Sequence, residues 1–292
     1  LIATLISDPE SAKALLDGLK WDIIAKFDTW FMWSGNIFVL FCLGLAISPW
    51  GKIRLGGHAA KAEHSTLSWL AMLFAAGMGI GLMFWGVAEP AAYFTGWYET
   101  PLGVEAYSPE AADLALGATM YHWGLHPWAI YGVVALSLAF FTYNKGLPLS
   151  IRSVFYPILG DRTWGWAGHI IDILAVLATL FGLATSLGLG AQQASAGISH
   201  VFGVSSGIGL QIVVIIGVTL LAIISVVRGL EGGVKLLSNV NMIIAFLLLL
   251  FVGAVAFAVS LGTIPQTVIA YAKNIIPLSN PHGRPDEAWL QG

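Results

Sequence analysis

Residues 68–90 read SWLAMLFAAGMGIGLMFWGVAEP. No charged residue interrupts this run before Glu89, and it exceeds the about 20 apolar residues that an α-helix needs to cross about 30 Å of hydrocarbon. Gly77, Gly79 and Gly81 alternate in its middle. Each weakens a helix by about 1 kcal/mol relative to Ala. An unwound turn there would leave carbonyls that lipid cannot satisfy, so it must line a cavity or face an ion. Broken helices near the membrane midplane are where substrates and coupling ions are held in carriers. A second reading stands beside this one: Gly77 and Gly81 also form a GxxxG face for close helix packing. Glu89-Pro90 reads as a helix terminus at the interface rather than as a functional carboxylate.

The rest of the chain has the same character. Of its 292 residues, 57% are hydrophobic and 10% charged, against about 25% charged in soluble domains. Helices that face lipid are apolar all round and require such a composition. The 12 Trp and 34 Gly agree with it, since both are favoured in membrane helices or at their ends. A net charge of −3 gives no basic surface for nucleic acid. The single Cys42 lies in an apolar run, which excludes a disulfide framework and a thiolate metal site.

Six segments are long enough to span, near 29–48, 68–94, 117–142, 169–197, 207–227 and 234–262. Together they predict an all-α polytopic membrane protein, with the lipid bilayer as its surroundings. Residues 1–28 read as an amphipathic, loop-rich lead-in with a helix start at Asp8-Pro9-Glu10. Residues 264–278 read as an interfacial helix whose apolar face carries Ile264, Val268, Tyr271 and Ile275. The tail 279–292 reads as a polar loop. The first, third and fifth connections carry Lys52, Arg54, Lys61, Lys145, Arg152, Arg162, Arg228 and Lys235. These eight basic residues stand against five on the other side, Lys13, Lys20, Lys26, Lys273 and Arg284, which places the first group in the cytoplasm and residues 1–28 outside.

The third span contains Tyr121-His122-Trp123-Gly124-Leu125-His126-Pro127-Trp128-Ala129-Ile130-Tyr131. Trp and Tyr commonly form belts at the interface. This cluster runs inward, and a kink at Pro127 would turn Trp123, Trp128 and Tyr131 towards one cavity. Aromatic faces attract a cation by roughly 0.5 to 2 kcal/mol each without any hydrogen bond. That chemistry suits a quaternary ammonium, which has no N–H to donate. His122 and His126, at i and i+4, could instead ligate a metal or haem in a membrane subunit of a redox complex, although no further intramembrane ligand accompanies them. Packing or hydrogen bonding is the simpler role. The fourth span carries Thr179, Thr185 and Ser186, whose hydroxyls could ligate a hard cation or bond their own backbone. Asn239 and Asn241 are the few polar groups of the last two spans, which read as scaffold.

Taken together, Ala76-Gly77-Met78-Gly79-Ile80-Gly81-Leu82-Met83-Phe84-Trp85 with Glu89-Pro90, the stretch His122 to Tyr131, and Phe181-Gly182 through Ser186-Leu187-Gly188-Leu189-Gly190-Ala191 resemble the betaine/choline/carnitine transporter family. The form without an acidic residue among the glycines is most like its sodium-coupled glycine betaine members. The resemblance implies a LeuT-like fold of two inverted five-helix repeats. Residues 68–262 would form the first repeat, the span before them would be one preceding helix, and 263–292 would lead to a second repeat not contained in this sequence. It implies an importer of a small onium solute, not an enzyme, assembled as a homotrimer through the interfacial helix. Trp123, Trp128 and Tyr131 match the solute cage, and Gly77, Met78, Gly79 and Gly81 match the flexible stretch beside the solute. Ala75 and Met78 match carbonyl ligands of one sodium ion, and Thr179 matches a hydroxyl ligand of a second. Where the family pattern has another hydroxyl one turn on, this chain has Leu183, so the second sodium site departs from it. The resemblance implies no cofactor beyond the coupling ion. Choline, carnitine or dimethylsulfoniopropionate, with proton coupling or exchange, is the alternative within transport.

Overall fold

The first helix starts where its sequence signals it. Asp8 caps the N-terminus by accepting the Ser11 N–H at 3.2 Å, Pro9 occupies the first turn, and Glu10 adds an acidic group at the positive end of the dipole. The Ser11 bonds hold the Asp8 carboxyl below its ordinary pKa. In the computed structural model, which describes residues 7–77, 79–97, 99–259 and 262–282, this helix α1 runs Pro9–Ile47 without a break. It ends at extended Ser48, ahead of Pro49. The loop-rich reading of residues 9–28 is therefore corrected. Once the apolar span nucleates a helix, extending it costs little per residue, and Gly18 alone does not stop it.

The remaining long elements follow in order: α2 Thr66–Gly77, α3 Ile80–Thr95, α4 Pro109–Trp123, α5 Leu125–Ala139 with a π turn Phe140–Asn144, α6 Trp166–Phe202, α7 Ile208–Val227, α8 Lys235–Val259 and α9 Thr263–Ser279. Among the described residues no strand is present. Five stretches are long and apolar enough to cross a membrane, with α4 and α5 counted as one, and α2 with α3 forms a sixth bent by 59°. The six expected spans are thus found. The glycines do interrupt the second, and neither its 12-residue nor its 16-residue piece alone would cross about 30 Å. The expected polar tail is described only as far as His282.

The chain divides into two compact units. The first comprises Leu1–Gly51, Val87–Val133 and Gly262–Gly292. Its core joins Tyr93, Ala115, Ala118, Tyr121 and Leu278, with Phe94, Leu102, Tyr271 and Ile275 packed around them. Ala111, Ala115, Gly117 and Ala118 give α4 a face of small residues, which lets α9 approach closely, as membrane helices do. A Cβ placed on Gly117 would lie 3.0 Å from the Ala270 carbonyl oxygen. Near this contact Asp113 accepts from Lys273 at 3.2 Å and from Asn274 at 3.3 Å. The buried line of α9 is Ala270, Asn274 and Leu278, beside the expected apolar face. Tyr271 and Ile275 do pack on the core, but Ile264 and Val268 stay exposed. Close approach at Gly117 places the small Ala270 against α4.

The second unit comprises Lys52–Gly86 and Val134–Leu261. There α2 packs on α8, with Asn239 donating to Ser68 Oγ at 3.5 Å, and α6 packs on α7. Among its connections, Asn144 accepts the Gly56 N–H and donates to the Arg54 carbonyl, both at 2.9 Å. Asp172 at the start of α6 accepts from Arg152 Nε at 2.5 Å and from its backbone N–H at 3.3 Å. It thereby pins the turn Ile151–Val154, a role its sequence position did not reveal.

Gly117→Val should force α4 and α9 apart and cost about 1–3 kcal/mol, the usual penalty of overpacking. Thermal unfolding in detergent should show a lowered midpoint. Gly217→Ala, whose added methyl meets nothing within 4 Å, should leave that midpoint unchanged or slightly raised.

Candidate functional site

The aromatic span breaks at Gly124, whose backbone (φ −97°, ψ −133°) leaves the helix. α5 restarts at Leu125, so Pro127 stands in the first turn of a new helix, where a missing N–H leaves nothing unbonded. The kink expected at Pro127 therefore lies three residues earlier. Gly124 is held to glycine by its surroundings. A Cβ there would meet its own Met120 carbonyl oxygen and would lie 2.8 Å from the Tyr271 hydroxyl. That hydroxyl accepts the Leu125 N–H at 3.0 Å, covering a donor that the break exposes. Burial pushes the Tyr271 phenol above its ordinary pKa, against a smaller lowering by the Leu125 bond, so it stays neutral at physiological pH.

On the near side of the break, Glu89 and Tyr93 project from successive turns of α3. Glu89 is buried, 9% exposed, in mid-helix. Its Oε1 accepts Trp123 Nε1–H at 3.2 Å, and its Oε2 lies 3.2 Å from His122 Nδ1. The Tyr93 hydroxyl stands 3.3 Å from the same nitrogen. Glu89 is thus a carboxylate engaged at both oxygens, which overturns its reading as a helix end at the interface. An ionisable residue within a span is retained at a cost and is a functional candidate with its partner named. Its signal in the sequence was the only charge of residues 68–90, discounted there because Pro90 follows it.

On the far side, Trp128 and Tyr131 face each other with ring centroids 6.0 Å apart and planes at 46°. Both are exposed, 43% and 60%. Trp123 is tied to Glu89, and Trp128 is paired with Tyr131. His126 is buried. Its Nε2 meets Asn36 Oδ1 at 2.9 Å, its ring stacks on Tyr121 at 4.4 Å, and Asn36 donates to the Ser279 carbonyl at 2.8 Å. One interaction chain therefore links α1, α5 and the end of α9. Both histidines have hydrogen-bonding roles, as the simpler reading expected. Among the described residues no group of three His, Cys, Asp or Glu could hold a metal.

In the other unit, the Gly79 N–H, which an unbroken helix would direct to the Ala75 carbonyl, bonds Gly77 O at 3.2 Å. A Cβ on Gly79 would meet nothing within 4 Å, so close packing does not explain that glycine. Met78 lies outside the described residues. Gly81 sits in the first turn of α3. The Thr179 hydroxyl donates to the Ala175 carbonyl at 2.8 Å, and Thr185 does the same to Phe181 at 3.0 Å. Their protons are committed while the oxygen lone pairs are not. Ala75 and Thr179 stand on helices with different principal partners, α8 for α2 and α7 for α6.

The model of a transporter family described as BCCT, the betaine/carnitine/choline family transporters, matches residues 1–292. The chain belongs to that family. Its relatives include a protein named Glycine betaine transporter 1 from Vibrio parahaemolyticus serotype O3:K6 (strain RIMD 2210633), 75% identical over 292 residues, covering 100% of this chain and 56% of that protein. A glycine betaine/proline/choline/ectoine transporter of the same organism is 65% identical over 292 residues, covering 100% and 52%. The glycine betaine transporter OpuD of Bacillus subtilis (strain 168) is 42% identical over 289 residues, covering 98% and 56%. The chain thus spans about half the length of these curated relatives. Membership in a transporter family sets aside the redox reading of His122 and His126.

Tyr271→Phe removes the acceptor for the Leu125 N–H. One hydrogen bond contributes about 1 kcal/mol, roughly fivefold in a local opening equilibrium. Hydrogen–deuterium exchange of peptides covering residues 124–128 should quicken by about that factor, with exchange in α7 unchanged.

Proposed function

We propose that this chain is part of a secondary transporter that imports glycine betaine or a close quaternary ammonium analogue, coupled to sodium, by alternating access. The observation that carries the proposal is the open Trp128–Tyr131 pair in a chain 75% identical to a protein named for glycine betaine transport. An onium group offers no donor, and three aromatic faces at roughly 0.5 to 2 kcal/mol each reach the about −4 kcal/mol of millimolar binding when they are desolvated and towards the upper end of that range. Trp123, Trp128 and Tyr131 supply the faces. Gly77, Met78, Gly79 and Gly81 are proposed to contribute backbone flexibility to the same solute step.

Sodium coupling is supported by the diverted Gly79 N–H, which frees the Ala75 carbonyl to serve a cation. The carbonyls of Ala75 and Met78 would hold one ion, and the Thr179 oxygen would serve a second. Leu183 offers that second site no hydroxyl. Each sodium moved inward across 100 mV contributes about 2.3 kcal/mol, so the number of ions sets how far the solute can be accumulated. Residues 68–262 would form one five-helix repeat that rocks against its counterpart. Homotrimer assembly through α9, whose Ile264, Val268, Ile269 and Ile276 are exposed, belongs to the same proposal. A wider solute range is also favoured, because the relative at 65% identity is named for proline, choline and ectoine besides glycine betaine.

Uptake of labelled glycine betaine by the full-length transporter in proteoliposomes should require an inward sodium gradient. Trp128→Leu should raise KM by about two- to thirty-fold, the factor that corresponds to one cation–π contact. Uptake indifferent to sodium would move the coupling to protons or exchange. No uptake of any onium solute by folded protein would sink the reading.

A further inference from the structure

Trp123 is the last residue of α4, and the chain turns away at Gly124. A flat ring serves an onium group only when it is face-on, within about 6 Å of the ring centre. The indole has one polar handle, its Nε1–H, and an acceptor placed on that edge sets the plane of the ring. Glu89 supplies the acceptor at 3.2 Å. The other oxygen of the carboxylate lies 3.2 Å from His122 Nδ1, which holds it in place in the tautomer that carries the proton on Nδ1, with the Tyr93 hydroxyl 3.3 Å from the same nitrogen.

From this geometry we infer that Glu89 is a positioning residue for solute binding, whose carboxylate sets the orientation of the Trp123 ring at the end of α4. The inference rests on the reading of Trp123 as part of the solute cage. Glu89 does not touch the solute. It acts through the indole edge, and His122 and Tyr93 act through Glu89. A carboxylate that merely tied α3 to α4 would show the same hydrogen bonds but a different pattern of variants.

The test is uptake of labelled glycine betaine by the full-length transporter in proteoliposomes, with KM and kcat measured separately. Glu89→Gln keeps an oxygen acceptor of the same reach, so its KM should stay within about threefold of wild type. Glu89→Leu loses the acceptor and Glu89→Asp retracts it by one methylene. Both should raise KM about tenfold with kcat within about twofold. In a Trp123→Phe background, which has no indole N–H to orient, Glu89→Leu should add less than about twofold, because the two residues act as one unit. Should Glu89→Leu fail to give monodisperse protein, Glu89→Asp decides. Wild-type KM in Glu89→Asp, or a Glu89→Leu effect that is undiminished on top of Trp123→Phe, overturns the inference. Trp128→Leu separates the two levels. If it raises KM while Glu89→Asp does not, positioning alone fails, and if it leaves KM unchanged, the cage reading beneath it fails.

Discussion

A helix cannot break inside hydrocarbon without exposing backbone donors and acceptors that lipid leaves unbonded, at several kcal/mol for each group. This chain interrupts helices at two places that its sequence marks as chemically dense, after Gly77 and at Gly124. At Gly124 the exposed Leu125 N–H is taken by a side chain from another helix, Tyr271 of α9. After Gly77 the break is partly covered by its own chain through the Gly79 bond. The difference has a consequence. The aromatic break is braced from outside, by Tyr271 on one side and Glu89 on the other, and can hold side chains in fixed positions. The glycine break shows a local bond, Gly79 N–H to the Gly77 carbonyl.

The bracing depends on how closely α9 sits against α4. Small residues on α4, with Gly117 against the Ala270 carbonyl, bring the interfacial helix near enough for the Tyr271 hydroxyl to reach the break. Two polar contacts to Asp113, from Lys273 and Asn274, add to this packing. A helix that composition alone describes as lying on the membrane is therefore also a support of the aromatic span. Anything that moves α9 acts on Leu125 through one hydroxyl.

Much of the architecture was legible in the amino-acid order, because the length of an apolar run and the position of a cap are local properties. Asp8-Pro9 marked the first helix start, and the alternating glycines at 77, 79 and 81 marked the bend in the second span. What could not be read depended on partners distant in sequence. Pro127 looked like the source of a kink, whereas the Tyr271 hydroxyl packed on Gly124 accompanies the break three residues before it. The apolar face of α9 was legible, but not that Ala270, Asn274 and Leu278 would be its buried line against α4. Glu89 looked terminal beside Pro90, and only the arrival of His122 and Trp123 from α4 shows it to be central. The aromatic residues were legible as a set. Their division into a Trp128–Tyr131 pair and an anchored Trp123 was not.

The central claim is that an onium solute binds against these aromatic rings, with sodium as its coupled ion. Its most direct test is equilibrium titration of the purified full-length transporter with glycine betaine, followed by tryptophan fluorescence in sodium and in potassium buffers. The account predicts a saturable spectral change that is stronger in sodium and absent when Trp128 is replaced by Leu. Saturable binding of the solute that leaves the fluorescence of both the wild type and Trp128→Leu unmoved would contradict it.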